Sequence, residues 1–519
     1  MKKISLFILL TLISFIIIGC SSNTTTSLTN ITTSGETSSD TTTLEPDVYN
    51  VEYNVLSEQL LIGENVLEED EWFINHSSGG SHVIAKTNKN RYFAWGNNSK
   101  GQLGDGTTES KVTPVDITNN FPLQAGEYVI NFSLGDSHSA AITNMGRVFT
   151  WGWNFYGRLG DGTTTSRSTP TDITSMFNLH TGEKVLTITM GVSNSAAKTT
   201  EGRIFVWGEN STGQLGDGTI LNKSVPTDIT GQFNLEVNEL VVVISLGGVH
   251  SAAFTSKGRL FTWGGNAYGQ LGDTTGGIKV NPTEITQYLT YTEGEFIIGI
   301  DLGRYNTVVL TSKGDVYTFG LNERGQLGDG TLVNKNTPTD IKSQFGLEPE
   351  ETIIKVASGY SHMLLITSEY RVFTWGDNEF GQLGQGDTIH QSTPVEITSQ
   401  LAFQEGETVN SIALGDGYSA MITSLGRFLT WGNNDNAQMG NIESSTVLIP
   451  TNIIQNSKVA TVLKTEAYAY GSDITPHVPS RAGFTYAGWF TDEELTNPYT
   501  FNQMPNQNVI LYTEWIPEN

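Results

Sequence analysis

Residues 146–152 read Gly-Arg-Val-Phe-Thr-Trp-Gly, and the Trp-Gly pair that ends this stretch recurs at a fixed interval down the chain. The pairs begin at Trp95, Trp151, Trp207, Trp263, Phe319, Trp375 and Trp431. Each step is 56 residues, so the chain contains a tandem repeat of seven copies. Such a repeat determines the architecture, and it directs the search for function to the positions at which the copies differ.

Each copy is predicted to hold four short β-strands. In copy two they are Val129–Leu134, Ser139–Thr143, Val148–Trp151 and Thr169–Ile173, which are rich in β-branched or aromatic residues and bounded by Gly, Pro, Asn and Asp. Four-stranded repeats of about this length are typical of β-propeller blades. The sequence therefore predicts an all-β protein whose main domain, residues 48–457, is a seven-bladed β-propeller.

The repeat motifs resemble those of a known family. Gly-x-x-His-Ser-Ala-Ala, Gly-Arg-Val-Phe-Thr-Trp-Gly-x-Asn and Gly-Gln-Leu-Gly-Asp-Gly-Thr, which recur over roughly residues 60–455, are similar to the repeat of the regulator of chromosome condensation family. That resemblance implies a seven-bladed propeller, in agreement with the number of copies. A propeller needs its ring closed, and residues 48–66 are expected to supply a strand that completes the blade begun by copy seven.

The N-terminus has the pattern of a secretory signal. Lys2 and Lys3 precede the almost wholly apolar stretch Ile4–Ile18, which has the length of a signal h-region and is short for a membrane span. The stretch ends in Ile-Ile-Gly-Cys, which resembles a bacterial lipobox. Residues 1–20 are therefore interpreted as a lipoprotein signal peptide and Cys20 as the lipidated residue; the alternative is an ordinary cleaved signal with a stray thiol.

The composition and net charge of the chain limit where the protein can be located and what it can bind. Residues 21–47 are rich in Ser and Thr and predict a flexible tether. Lipid chains would hold the protein at the extracellular face of a bacterial cell membrane without spanning it. A net charge of −26 disfavours nucleic acid and anionic membrane surfaces as partners. The single cysteine excludes an intrachain disulfide, and a monomer is expected.

Two repeated polar positions could suggest metal sites, but both have structural explanations. The His of Gly-x-x-His lies on a different blade in each copy, too far from the next for zinc, which needs three or four ligands around one ion. The Asp that follows the Leu-Gly of each loop could suggest calcium, yet Asp-Gly, the form that four of these five loops have, is first a turn signal. The positions are His82, His138, His250 and His362, and Asp105, Asp161, Asp217, Asp273 and Asp329. No catalytic residue, metal site or cofactor is predicted.

Function is expected where the copies differ. Equivalent loops of every blade emerge on one face, and some of them carry aromatic or basic residues that other copies lack. The sequence predicts a partner-contact patch there, centred on Trp153, Phe155 and Tyr156 and extended by Tyr268, Arg304, Tyr305, Arg324, Tyr360 and Phe380. The alternative is that these rings pack on a neighbouring blade or loop.

The repeat stops after Ser457, and residues 458–519 are interpreted as a second unit. They include Gly-Phe-Thr-Tyr-Ala-Gly-Trp-Phe-Thr-Asp at 483–492 and Val-Ile-Leu-Tyr-Thr-Glu-Trp at 509–515. These motifs closely resemble the Listeria–Bacteroides repeat, the B repeat of internalin-type surface proteins, which implies a small β-grasp module. Trp489 and Trp515 are expected to anchor its core.

These observations predict a membrane-anchored extracellular binding or adhesion protein that recognises a protein or a surface glycan through variable propeller loops. The protein is not expected to be an enzyme. A second interpretation is a secreted inhibitor of an enzyme, because a bacterial member of the propeller family blocks a β-lactamase with loop aromatics. A third, an envelope glycan-acting enzyme, is disfavoured because no carboxylate pair breaks the repeat on adjacent blades. Nucleotide exchange on a small GTPase and ultraviolet sensing, known for other family members, do not carry over.

Overall fold

In the computed structural model of the chain, residues 73–452 form seven four-stranded antiparallel sheets, one for each copy of the repeat. The structure describes residues 48–62, 65–68, 70–440, 445–469, 472–479, 484–492, 495–503, 507 and 509–517. From blade one to blade seven the strands are Phe73–Ser78, His82–Thr87, Tyr92–Gly96 and Lys111–Asp116; Val129–Leu134, His138–Thr143, Val148–Gly152 and Arg167–Asp172; Val185–Met190, Asn194–Thr199, Ile204–Gly208 and Lys223–Asp228; Val241–Leu246, His250–Thr255, Leu260–Gly264 and Lys279–Glu284; Ile297–Leu302, Asn306–Thr311, Val316–Gly320 and Lys335–Asp340; Ile353–Ser358, His362–Thr367, Val372–Gly376 and Gln391–Glu396; Val409–Leu414, Tyr418–Thr423, Phe428–Asn433 and Thr446–Asn452. Short 3-10 turns follow the first six blades at Thr118–Asn120, Thr174–Phe177, Thr230–Phe233, Thr286–Tyr288, Lys342–Phe345 and Thr398–Leu401.

The strands predicted for copy two are confirmed, with ends displaced by at most two residues. The Gly of the Trp-Gly pair is explained by a close backbone approach. Gly152 has φ +97°, and a Cβ there would lie 2.6 Å from the carbonyl oxygen of Ser137. Only glycine tolerates this conformation and this contact. Because no side chain stands between them, the end of each third strand can lie directly against the Gly-x-x-His loop.

The repeated Trp and Leu pack between blades, as predicted. Trp151 of blade two is fully buried, and its indole Nε1 donates a hydrogen bond of 2.9 Å to the carbonyl oxygen of Gln102 in blade one. Leu103 of blade one lies in the same apolar cluster as Trp151. The equivalent bond recurs for Trp95, Trp207, Trp263, Trp375 and Trp431. Truncating a tryptophan in such a core costs about 3–5 kcal/mol, so these residues are needed for stability.

The same contacts connect blade seven to blade one. Trp95 Nε1 donates to the carbonyl oxygen of Gln438 at 2.9 Å. The Tyr418 hydroxyl donates to the carbonyl oxygens of Gly79 and His82, at 3.0 and 2.8 Å. The first strands of the two blades also lie side by side. The last repeat therefore meets the first through the contacts that join neighbouring repeats elsewhere.

The blades share one orientation, which gives the disc two different faces. The upper face carries the Gly-x-x-His loops and the long loops between third and fourth strands. The lower face carries the hairpins between second and third strands and the 3-10 turns. The chain enters blade one at Phe73 and leaves blade seven at Asn452, both at the lower face. The predicted contact residues all belong to upper loops.

The N-terminal strand, Val48–Ile62, does not complete blade seven, so that prediction is wrong. All four strands of blade seven come from copy seven itself, and its own fourth strand already occupies the outer position of the sheet. The N-terminal strand pairs antiparallel over its whole length with Ile454–Ala469, here called the return strand. It also pairs in parallel with Val509–Pro517, here called the final strand.

The sheet that results joins both ends of the described chain in one unit, the terminal module. It contains the N-terminal, return and final strands together with Asn65–Val66 and Phe484–Tyr486. Its core includes Val51 and Tyr53 from the N-terminal strand, packed with Trp489 and Leu511. Trp489 thus lies in the core as predicted, while the Trp515 side chain lies outside the described residues. The unit predicted at 458–519 therefore shares its sheet and core with the N-terminal strand.

The predictions for residues 1–47, including Cys20 and the tether, lie outside the described residues. Across the residues that the structure describes, no helix combines the length and apolarity needed to cross a membrane.

Candidate functional site

The loop of copy two places three aromatic side chains together on the upper face. The ring centroids of Trp153 and Phe155 are 5.9 Å apart, with the planes 24° from parallel. Tyr156 meets Phe155 edge-to-face at 4.7 Å. Phe155 is 59% exposed, whereas Trp153 and Tyr156 are partly buried. The predicted centre of the patch is therefore one contiguous aromatic surface open to solvent, here called the copy-two cluster.

Sequence reasoning missed a fourth member of this cluster, Arg158. Its guanidinium carbon lies 4.4 Å from the centre of the Trp153 ring and 5.3 Å from that of Tyr156. The side chain is fully buried. Six copies carry Gln at this position, so the substitution of Gln by Arg in Gly-Gln-Leu-Gly was the signal that could have identified it.

The Gln residues show what copy two has lost. In six copies the Gln Oε1 accepts a 2.9 Å hydrogen bond from the backbone N–H two residues earlier and fixes the turn. Arg158 has no acceptor, and among the described residues no group accepts a hydrogen bond from the Tyr156 N–H. Copy two thus lacks a stabilising hydrogen bond of the repeat and has instead a cation beneath two aromatic rings. Local exceptions of this kind are expected at functional sites.

A second cation flanks the cluster from the neighbouring blade. The Lys100 Nζ lies 5.7 Å from the centre of the Trp153 ring, and its side chain is exposed. Burial lowers the pKa of Arg158, and the carboxylates of Glu209 and Asp136 partly oppose that change. Within the described residues, no carboxylate forms an ion pair with Lys100 or Arg158. The copy-two cluster therefore carries unpaired positive charge in a strongly acidic protein.

Four further predicted residues form a second cluster across blades four to six. Tyr268 and Tyr305 meet at 5.1 Å between ring centroids. The Arg304 guanidinium lies 5.5 Å from the Tyr305 ring and 5.8 Å from the Tyr360 ring. The Tyr360 hydroxyl donates a 2.7 Å hydrogen bond to Asp136 Oδ1 on blade two. Asp136, which sequence reasoning also missed, thus links this second cluster to copy two.

The remaining two predicted residues make other contacts. Arg324 bonds to His390 Nε2 at 2.7 Å and approaches Glu379 at 3.7 Å. Phe380 lies against the Gly417 loop of the next blade, because a Cβ on Gly417 would meet its ring at 3.0 Å. In the described part of the chain these contacts connect neither residue to the two clusters, so for Phe380 the alternative of packing on a neighbouring loop agrees with the structure.

A central channel of about 350 Å³ opens at the upper face, lined by the first strands of all seven blades. Its lining includes the first variable residue of five Gly-x-x-His loops, namely Gly80, Asp136, Val192, Gly248 and Tyr360. The glycines make room for their neighbours: a Cβ on Gly80 would lie 2.6 Å from Asp136 Oδ1, and one on Gly248 would lie 2.8 Å from Arg304 Cγ. The mouth is therefore shaped by side chains that differ from copy to copy.

Asp416→Asn is expected to raise the free energy of unfolding at pH 8 by about 1 kcal/mol and to leave it unchanged at pH 4. Burial, and then the charge of Asp136, raises the pKa of the Asp416 carboxyl to about 6, so folding favours its protonated form. The stability that the protonated Asp416 carboxyl contributes to the folded state is fully present below the unfolded pKa of about 3.9, and it is lost as the pH rises through about 6. Because Asp416 is exposed to solvent, screening of its charge keeps the expected gain small. Urea unfolding of both proteins at the two pH values measures it, and an equal gain at both would contradict it.

The repeated histidines have the structural role that the sequence predicted. Each ring Nε2 bonds to a hydroxyl of the next blade: His82 to Ser139 at 2.8 Å, His138 to Ser195 at 3.3 Å, His250 to Thr307 at 2.9 Å and His362 to Ser419 at 3.0 Å. Burial lowers the pKa of His250 to about 3, so its ring is neutral at physiological pH. These side chains serve as bonds between blades.

The repeated aspartates are occupied as well. Each carboxylate pairs with the cation six residues later in its own loop, as in Asp161 with Arg167 at 2.8 Å and Asp217 with Lys223 at 3.0 Å. One group with metal-ligand chemistry, His180, Glu183 and Glu201, lies on the lower face. Because Arg203 already forms an ion pair with Glu183, we interpret these side chains as structural and not as metal ligands.

Comparison with known proteins places these features in a family. Residues 177–503, more than half of the chain, match the family model described as the RCC1-like domain. The chain belongs to the RCC1-like domain family. Models of the regulator of chromosome condensation (RCC1) repeat also match residues 89–142, 145–197 and 129–158. The predicted all-β repeat propeller is thereby confirmed.

Three comparisons illustrate how far similarity to this RCC1-like chain extends. The ultraviolet-B receptor UVR8 of Arabidopsis thaliana is 30% identical over 369 residues, which cover 71% of this chain and 78% of UVR8. The human E3 ubiquitin-protein ligase HERC2 is 29% identical over 399 residues, 75% of this chain but 8% of HERC2. The crystal structure of Kap60 bound to yeast RCC1 (Prp20) contains a chain with a TM-score of 0.59 and 20% identity, covering 74% of this chain and 84% of that one. This last similarity shows the shared fold.

Proposed function

We propose that this RCC1-like chain is an extracellular binding or adhesion protein without enzymatic activity, which recognises a protein or surface glycan through the copy-two cluster. The observation that carries the proposal is the change at one copy of the repeat. Trp153, Phe155 and Arg158 have no equivalent in the other copies, Tyr156 lies beside them in the same loop, and the turn bond supplied by Gln in six other copies is absent there. An exposed aromatic surface that the fold does not need is typical of a recognition site.

The proposal includes how the protein is held and presented. Cys20 would carry the lipid at the outer face of a bacterial membrane, residues 21–47 would act as the tether, and the terminal module would be of the β-grasp type. The closed propeller would act as a rigid disc. Its chain enters and leaves at the lower face, so the copy-two cluster lies on the face opposite these two points. Yeast RCC1, solved with Kap60 bound, is a precedent for a protein with this fold that binds another protein.

Affinity capture with the segment from residue 21 to 519 tests this function. Replacing Trp153, Phe155 and Tyr156 together by Ala is expected to weaken partner binding at least about 100-fold, because aromatic anchors dominate interface energies. The matched control removes two exposed aromatics of the lower face, Trp72 and Phe296, which are 44% and 55% exposed. Each captured partner is then titrated against both variants. Unchanged affinity of the triple variant, with the fold intact, would contradict the proposal.

The same cluster also supports a second candidate, inhibition of a secreted enzyme. An exposed aromatic surface can fill an active-site cleft as readily as it can bind a cell surface. Inhibition predicts one purified enzyme as the captured partner, with its activity lost on binding. Adhesion instead predicts attachment of cells or matrix that is lost when the protein is released from the membrane.

A further inference from the structure

Arg158 is a buried cation without a counter-ion. Its side chain is fully buried, and its Nε and Nη2 have no hydrogen-bond partner. Its Nη1 makes one long contact of 3.4 Å with the carbonyl oxygen of Val192. Buried charges in proteins are normally paired, because removing an ion from water without compensation is costly. The aromatic rings above Arg158 offset only part of that cost.

Other cations of the same type of loop are paired. Arg167, in the loop of copy two, forms an ion pair with Asp161 at 2.8 Å, and Lys223, Lys279 and Lys335 pair in the same way in later copies. Lys100 and Arg158, on either side of Trp153, form no ion pair within the described residues. In a chain of net charge −26, these two unpaired cations at one aromatic cluster make a local site for an anion.

We propose that the copy-two cluster receives a carboxylate from an acidic segment of a partner protein, with Arg158 as its counter-ion. The inference rests on the proposed binding function and names the partner's chemistry. A guanidinium binds a carboxylate through two parallel hydrogen bonds, and the unpartnered Nε and Nη2 are free to supply them. The rings of Trp153 and Tyr156 would enclose the aliphatic part of an Asp or Glu side chain, and Lys100 would add a second, solvent-exposed cation.

The neighbouring charges favour a singly charged anion. Asp136 and Glu209 lie near enough to act on the pKa of Arg158, and they would repel the doubly charged phosphate more than a carboxylate. Arg158 would become accessible if Tyr156 or Trp153 turned aside. We expect this loop to permit such a movement more readily than the others, because it lacks the Gln bond that fixes the equivalent turn.

A random peptide library displayed on phage, selected on immobilised protein of residues 48–519, tests the inference. Peptides that bind the wild type but not the triple aromatic variant are expected to be enriched in Asp and Glu. A selected peptide with one Glu replaced by Gln is expected to bind the wild type at least about 10-fold more weakly. On Arg158→Gln the two peptides are expected to bind equally. Arg167→Lys, which keeps a paired cation in the same loop, is the control and should behave as the wild type.

The outcomes separate this inference from the function on which it rests. If the wild type selects no peptide that the triple aromatic variant fails to bind, the acidic segment is overturned, while affinity capture with residues 21–519 decides the binding function separately. If it selects such peptides but the Glu-to-Gln change has no effect, the carboxylate is overturned and the binding function stands. Displacement of the glutamate peptide by inorganic phosphate at concentrations where acetate has no effect would also overturn the carboxylate, in favour of a phosphate site.

Discussion

Arg158→Gln is expected to make the protein more stable by about 2 kcal/mol. The substitution removes a buried charge that has no counter-ion, and it introduces the Gln that six other copies use to fix this turn, so that Oε1 can accept the Tyr156 N–H. Removing a buried unpaired polar group increases the free energy of unfolding by about 1 kcal/mol or more, and regaining one hydrogen bond has an effect of similar size. Urea unfolding of the propeller measures the gain.

The same variant is expected to lose order in the aromatic cluster, because the cation that lies against Trp153 and Tyr156 is gone. Acrylamide quenching of Trp153 fluorescence, isolated by subtracting a Trp153→Phe background, should increase. The reciprocal change, Gln214→Arg in copy three, is the matched control and should destabilise the protein, since that loop has no aromatic rings to receive the cation. A less stable Arg158→Gln protein would show that Arg158 is a structural residue.

Removing residues 48–62 is expected to unfold the terminal module completely while leaving the seven blades folded. The deletion takes Val51 and Tyr53, both fully buried, out of the core that contains Trp489 and Leu511. It also removes the strand that pairs with the return strand and the final strand. A unit of this size has little apolar core to lose, so partial survival is not expected.

Hydrogen exchange measures the two parts separately. Backbone amides of residues 464–468 and 509–516 should exchange at the rate of an unfolded chain, whereas those of the blade strands should stay protected. A chain that begins at residue 48 is the control and should keep both units folded. Protection of residues 509–516 without the N-terminal strand would show that the module folds from its C-terminal sequence alone.

The fold could be predicted from the sequence wherever the repeat applies. The blades could be predicted from the 56-residue interval and the strand pattern, and the packing of Trp151 and Leu103 between blades from their place in the repeat. Strand formation is a local property, and packing between blades involves only neighbouring repeats. The partners of the N-terminal strand could not be predicted in this way. That strand pairs with residues some 400 positions away, and an alternating pattern shows that a strand exists without showing what it pairs with.

The candidate site was predictable only in part. Trp153, Phe155 and Tyr156 stood out because aromatic side chains are conspicuous against polar ones in other copies. Arg158 did not stand out, because Gln and Arg are both long and polar. The difference between them emerges only when the Gln acceptor and the buried guanidinium are placed in three dimensions. The bond from Tyr360 to Asp136 joins blades six and two, and no sequence interval indicates it.

The course of the N-terminal strand also determines where mechanical load would travel. The strand begins at Val48, beside the final strand, and ends at Ile62, and the same chain enters blade one at Phe73 on the lower face. Tension between the segment before Val48 and a partner held on the upper face would follow that backbone directly into the disc. The return strand pairs with this strand over its whole length and joins blade seven at Asn452, so the hydrogen bonds between the two strands would carry part of the force in shear. A sustained pull would therefore load the terminal module together with blades one and seven.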